Sequence, residues 1–345
     1  MSTTLPPERR RRGRRRAGAA RLVCLAAAFT ATLGVAQLYK PARRLTGGTA
    51  DAALAFPAAA PAPMGFGKSG EVSTRFALPG EVVEYPLEIS GEAVGLAYQW
   101  VRAGETYMAH APRPLLGPAV TAPEEPGFYQ LAVVRAGRAE IVDGITLAVL
   151  VPFSAKVGTT LKGYKIGTYL AERLGGTAPS GAPVGFVEVD QADLERPLSK
   201  HFRLADFVTR DGQQTWPKYI AVNPRLLDKL ELVVAEIRRW HGDGANVELA
   251  LDVHSGFRTP SYNRGVKRAA RDSRHQYGDA ADVTIDADGD GRFTAADSRL
   301  VALAVEVVER NHPELAGGLG LYTNRSNRTP YVHIDARGSR VRWRG

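Results

Sequence analysis

At 345 residues the chain is long enough for two domains, each with a core of its own. Its formal charge of +9 would suit a nucleic-acid partner, but eleven of the basic residues fall within residues 1–44 against the single acid Glu8, and the remainder is close to neutral. The surplus therefore reads as a topology signal with no nucleic acid implied, and the lone Cys24 excludes disulfides, thiolate metal sites and cysteine nucleophiles downstream.

Arg9–Arg12 and Arg14–Arg16 precede an uncharged run from Leu22 to Leu38. Cationic residues stay on the cytoplasmic side, so everything after this run is expected outside the inner membrane, in the periplasmic or extracytoplasmic cell envelope. Residues 1–44 are thus a basic tail plus a single-pass inner-membrane signal-anchor through Leu22–Leu38. The run is at the short limit for a spanning helix, and a signal peptide cleaved near Gly34-Val35-Ala36 is the alternative. Residues 45–66 are rich in Ala and Pro and read as a tether.

Residues 67–150 change to short alternating runs broken by Gly and Pro, among them Val82–Leu87, Leu96–Val101, Tyr129–Val134 and Ile145–Leu150. Period-two strands at this spacing predict an all-β sandwich. Trp100 in a middle strand and Gly127-Phe128-Tyr129 opening a later one resemble the core Trp and tyrosine corner of immunoglobulin-like domains. Residues 151–198 read as a connector without assigned chemistry.

Residues 199–345 return to mixed patterning. After Asn223-Pro224, Leu226, Leu227, Leu230, Val233, Ile237 and Trp240 recur at helical spacing until Gly242. A strand is predicted at Val247–Val253, a helix at Asp297–Asn311, and strands at Tyr331–Asp335 and Arg340–Trp343. The expected fold class is multidomain: an N-terminal membrane segment, an all-β immunoglobulin-like sandwich, then an α+β domain.

The chemistry concentrates in Ser255-Gly256-Phe257-Arg258-Thr259-Pro260, in Ser273-x-His275-x-x-Gly278-x-Ala280-x-Asp282, and in Tyr331-Val332-His333-Ile334-Asp335. A catalytic zinc takes three ligands from His and carboxylate and keeps one position for water. His275, Asp282 and His333 supply that set, and Gly278 allows the turn that brings the first two together. Zinc there would acidify its water and polarise a scissile carbonyl. His110, His201, His241, His254 and His312 carry no such pattern and read as ordinary surface or structural residues.

At these residues, and from Leu198 to the C-terminus, the sequence resembles the zinc D-Ala-D-Ala carboxypeptidase family of cell-wall peptidases, its murein endopeptidase-like branch included. The same metal fold resembles the hedgehog signalling domain. The resemblance implies zinc at the three residues above and a peptidoglycan stem peptide as substrate. It also gives Arg258 a catalytic role, stabilising an oxyanion or holding a substrate carboxylate. Many members carry Glu three residues before the last His ligand, where this chain has Pro330. Asp335 is then the nearest acidic candidate for general base, or alternatively an acceptor that orients a zinc-bound His.

Asp286, Asp288, Asp290, Arg292 (through its carbonyl) and Asp297 follow calcium-loop spacing, with Gly291 at the sixth position. Calcium is expected there as a structural ion. The reading is a zinc metallopeptidase cutting peptide bonds at D-amino acids in peptidoglycan, with no obligate protein partner implied. Its alternatives are a non-catalytic peptidoglycan-binding protein with a structural zinc, and an adhesion or scaffold protein driven by the sandwich.

Overall fold

The computed structural model describes residues 65–85, 95–105, 111–117, 119–175, 181–242, 249–323 and 329–345. The basic tail, the Leu22–Leu38 run and all but the end of the tether lie outside these. Among the described residues no helix is long and apolar enough to cross a membrane, and the body is built mostly of small sheets. The expected fold class, a membrane segment followed by a free-standing sandwich and a separate α+β domain, is corrected accordingly.

The N-terminal sheet runs in the order Thr74–Ala77, Thr146–Val149, Gly127–Arg135, Leu96–Arg102, Arg113–Pro114, with Arg138–Ile141 also on the central strand. Its first pair is parallel, and among the described residues one face is covered by the two short strands Val82–Glu84 and Ala119–Thr121. This is not the pair of comparable sheets of an immunoglobulin sandwich. Between the layers lie Tyr98, Trp100, Tyr129, Leu131 and Leu147. Trp100 donates Nε1–H to the Thr121 carbonyl at 2.8 Å, and Tyr129 donates its hydroxyl to the Glu125 carbonyl at 3.0 Å.

The opposite face of that sheet is apolar too. Phe128, Ala148 and Leu150 join the core of the C-terminal half, and the backbone amides of Lys68 and Ser69 donate to the Asp228 carboxylate at 2.8 and 2.7 Å. The described residues therefore form one compact unit. A sheet apolar on both faces needs a second layer, so the sandwich has no independent outer surface there.

The expected connector is structural core. Val151–Pro152, Gly185–Val189 and Lys218–Ile220 form a three-stranded antiparallel sheet, and Tyr164, Tyr169 and Phe186 are fully buried. Tyr169 packs on Tyr277 (centroids 5.7 Å) and Phe186 on Phe257 (6.4 Å), while the Ser261 amide donates to the Ile166 carbonyl at 2.9 Å. Residues 151–198 thus buttress the segments that hold Arg258 and His275.

The last sheet has the order Leu251–Ser255, Ala280–Ile285, Tyr331–Asp335, Gly318–Tyr322, Val341–Arg344. Alternation along its strands separates two faces. Ala281, Val283, Ile285, Leu319, Val332 and Ile334 enter the core shared with the helices Pro224–Trp240 and Ala295–Asn311. The first helix starts where Asn223 accepts from the Arg225 amide and Pro224 fits the first turn; the second starts at the Thr294–Asp297 capping box. The other sheet face carries Asp282, Thr284, Tyr331, His333 and Asp335.

Candidate metal centre

His275 sits on the short 3-10 turn Arg274–Tyr277, closed by Gly278 at φ +70°, where a Cβ would collide with the Ala221 carbonyl. Only glycine suits that conformation and that contact. The turn leads directly into Ala280–Ile285, and Asp282 pairs in register with His333 on the adjacent strand.

Three acceptor atoms converge. His275 Nε2 lies 3.2 Å from Asp282 Oδ1 and 3.2 Å from His333 Nδ1, and His333 Nδ1 lies 2.9 Å from Asp282 Oδ1. The remaining ring nitrogens are committed elsewhere. His275 Nδ1–H donates to the Gly256 carbonyl at 2.7 Å, and His333 Nε2–H donates to Asp335 Oδ2 at 3.2 Å. Two lone pairs and a carboxylate oxygen then face one another with no hydrogen between neutral imidazoles, which calls for a cation. Tetrahedral zinc with ligands at 2.0–2.1 Å separates them by about 3.3 Å, close to what is found.

For His275 and Asp282 the electrostatics agree. Burial holds His275 below the ordinary imidazole value, favouring the neutral ligand form. Burial would raise Asp282, but the two imidazoles bring it well below the carboxylate range. Burial would likewise lower His333, but hydrogen bonds to Asp282 and Asp335 outweigh it and raise it. A proton on His333 and a metal ion compete for the same place.

Arg258 holds the far side of the Asp282 carboxylate. Its Nη2 donates to Asp282 Oδ2 at 2.5 Å and its Nε to Ser255 Oγ at 2.7 Å, leaving Oδ1 for the imidazoles. Asp335 is fully buried. Oδ1 accepts from the Gly318 amide at 2.7 Å, and Arg337 brackets both oxygens. Burial would raise its pKa, yet His333 and Arg337 hold it far below the carboxylate range. Of the two roles open to Asp335, this geometry suits the orienting acceptor, since His333, Arg337 and the Gly318 amide all point at its oxygens.

The calcium set is only partly assembled. Asp286, Asp288 and Asp290 bring carboxylate oxygens within 4.8 Å of one another. Asp297 instead accepts from the Ala287 amide at 2.9 Å and the Thr294 amide at 2.7 Å, capping the following helix. The Arg292 amide donates to Asp290 at 2.8 Å.

No family model matches the chain, and no curated protein matches it. Among solved structures, the L-Ala D-Glu endopeptidase ChiX of Serratia marcescens is similar over 34% of this chain and 80% of its own, at 20% identity and a TM-score of 0.24. A likeness that faint leaves function to the geometry.

Several residues of the site had no sequence signal of their own. Trp343 lies 5.0 Å from His333 (ring centroids) and donates to the Tyr322 hydroxyl at 2.9 Å; Tyr322 stacks on Tyr331 at 4.5 Å. Gly320 leaves room for that indole, since a Cβ there would run into it. His254 and Thr284 share the same face, 2.7 Å apart. Strand parity from His333 would have pointed to Tyr331 but not to the others.

Proposed function

We propose that this chain is a zinc-dependent peptidase acting on peptidoglycan stem peptides or cross-links on the outer side of the cytoplasmic membrane. The observation that carries it is the convergence of His275 Nε2, Asp282 Oδ1 and His333 Nδ1, three buried acceptors whose partners elsewhere leave no proton to separate them. Bound there, zinc would supply the Lewis acidity that peptide hydrolysis requires.

The chain's own residues do the rest of the positioning. The Gly256 carbonyl and Asp335 fix the two imidazole tautomers, and Arg258 keeps Asp282 turned with one oxygen inward. Tyr322, Tyr331 and Trp343 form an aromatic wall beside His333 on which a substrate can pack. Calcium between Asp286, Asp288 and Asp290 would stiffen the loop that follows the Asp282 strand.

Purified sacculi incubated with the full chain test the reading. Release of muropeptides that stops on chelation, returns with zinc and is absent in both His275→Ala and His333→Ala supports it. A folded, zinc-loaded chain that binds sacculi but releases nothing favours the non-catalytic peptidoglycan-binding alternative.

A further inference from the structure

Hydrolysis at this site needs a proton acceptor, and Asp335 is closed off by Arg337 and the Gly318 amide. One imidazole stands on the metal-facing side of the sheet without belonging to the metal set. His254 lies on the edge strand Leu251–Ser255, where pairing with Ala280–Ile285 slips register between Val253 and Ser255. This irregularity lets Asp252, opposite Thr284, and Ser255, opposite Asp282, share one face with His254 between them. His254 Nδ1 is 3.1 Å from Asp252 Oδ2, and its Nε2 is 2.7 Å from Thr284 Oγ1. Its ring meets Tyr331 edge-on at 5.7 Å.

Thr284 gives this group two satisfied states. Its hydroxyl also lies 3.4 Å from the Pro330 carbonyl. With His254 neutral and Nδ1–H on Asp252, Thr284 donates to Nε2. With His254 protonated, Nε2–H donates to Thr284 Oγ1, and the hydroxyl hydrogen turns to the Pro330 carbonyl. No heavy atom has to move between the two, a property suited to a group that accepts a proton and returns it. Thr284 is buried, two residues along the strand from Asp282 and on the same face of the sheet. The His254 side chain is about one-third exposed.

We propose that Thr284 and His254, with Asp252 behind them, form the proton relay of the hydrolytic reaction; this rests on the peptidase reading above. The attacking water passes a proton to Thr284 Oγ1 as Thr284 passes its own to His254 Nε2, and the water oxygen bonds to the carbonyl carbon. When the C–N bond breaks, the proton returns along the same path to the leaving nitrogen. The relay lies against Pro330, so a hydroxyl–imidazole pair takes the place of a carboxylate there. Charged and titratable neighbours of His254 are Asp252 on its own strand and Tyr331 across the sheet. Asp206 and Arg210 come from the segment packed on the strand's outer edge, Asp206 coupled to Asp252 and Arg210 donating to the Val253 carbonyl.

The test uses the zinc-loaded full chain, wild type first. Zinc-dependent muropeptide release by the wild type establishes the reaction; its absence overturns the peptidase reading, and the relay with it. Given an active wild type, His254→Gln and Thr284→Val are expected to keep one equivalent of zinc and the wild-type melting temperature. Each should lower kcat about 10²–10³-fold and lose the acidic limb of its pH profile. The double variant should be no worse than either single. A His254→Gln enzyme with wild-type kcat and pH profile would overturn the relay alone. Independently of activity, NMR of the zinc-free chain should show the His254 Nδ1 resonance displaced in Asp252→Asn; an unchanged resonance contradicts the pairing.

Discussion

His333 Nε2 lies 3.2 Å from Asp335 Oδ2, so that nitrogen carries the ring hydrogen and Nδ1 is the atom turned toward Asp282 and His275. The two residues are separated by one position on a strand whose alternate side chains share a face. Asp335 is in turn clamped by Arg337, over the packed side of Gly318. A carboxylate buried this completely orients the imidazole beside it.

Replacing Asp335 by Asn should therefore weaken zinc binding before it alters chemistry. The amide can present its NH2 to Nε2 and release the tautomer. Zinc affinity, measured by competition with a chromophoric chelator, is expected to fall about 10–100-fold. Activity should recover substantially at saturating zinc, which a general base would not allow.

The same contacts set an acid limit on stability. Asp282 and Asp335 are both held below their ordinary values in the folded chain. Depressed carboxylates contribute stability that is complete above about pH 4 and is lost as pH falls below it. Melting temperature between pH 7 and pH 3 should drop more steeply in the wild type than in Asp335→Asn.

Gly320→Ala places a methyl against the Trp343 indole. Either Trp343 leaves its seat over His333 or the strand Gly318–Tyr322 shifts. A loss of about 1–3 kcal/mol in denaturant unfolding is expected, together with red-shifted tryptophan emission if the indole is the part that moves.

Calcium is expected to raise the melting temperature by a few degrees when saturating, by mass action on the folded loop. Asp286→Ala should abolish the rise and leave zinc uptake intact. An unchanged melting temperature in the wild type would remove calcium from the account.

The convergence of His275, Asp282 and His333 was legible because Ser-x-His-x-x-Gly-x-Ala-x-Asp and a strand-borne His-x-Asp sit in local spacing. The role of Asp335 was not, because it is decided by Arg337 and the Gly318 amide, the latter from another strand. His254 looked ordinary for a similar reason: its partners Thr284 and Tyr331 are 30 or more positions away. The unity of the body left a trace that was passed over. Gly127–Arg135 is apolar at both parities, Tyr129, Leu131 and Val133 facing one core and Phe128 the other, which marks a strand buried on two sides. In the 151–198 segment the Gly and Pro spacing masked Tyr169 and Phe186, which pack on Tyr277 and Phe257.

Zinc-edge X-ray absorption on the full chain loaded with one equivalent of zinc tests the central claim most directly. The account predicts four nitrogen or oxygen neighbours at about 2.0–2.1 Å, with two-imidazole scattering that disappears in the His275→Ala, His333→Ala double variant. A chain that takes up no tight zinc, or a spectrum unchanged in that variant, would contradict it.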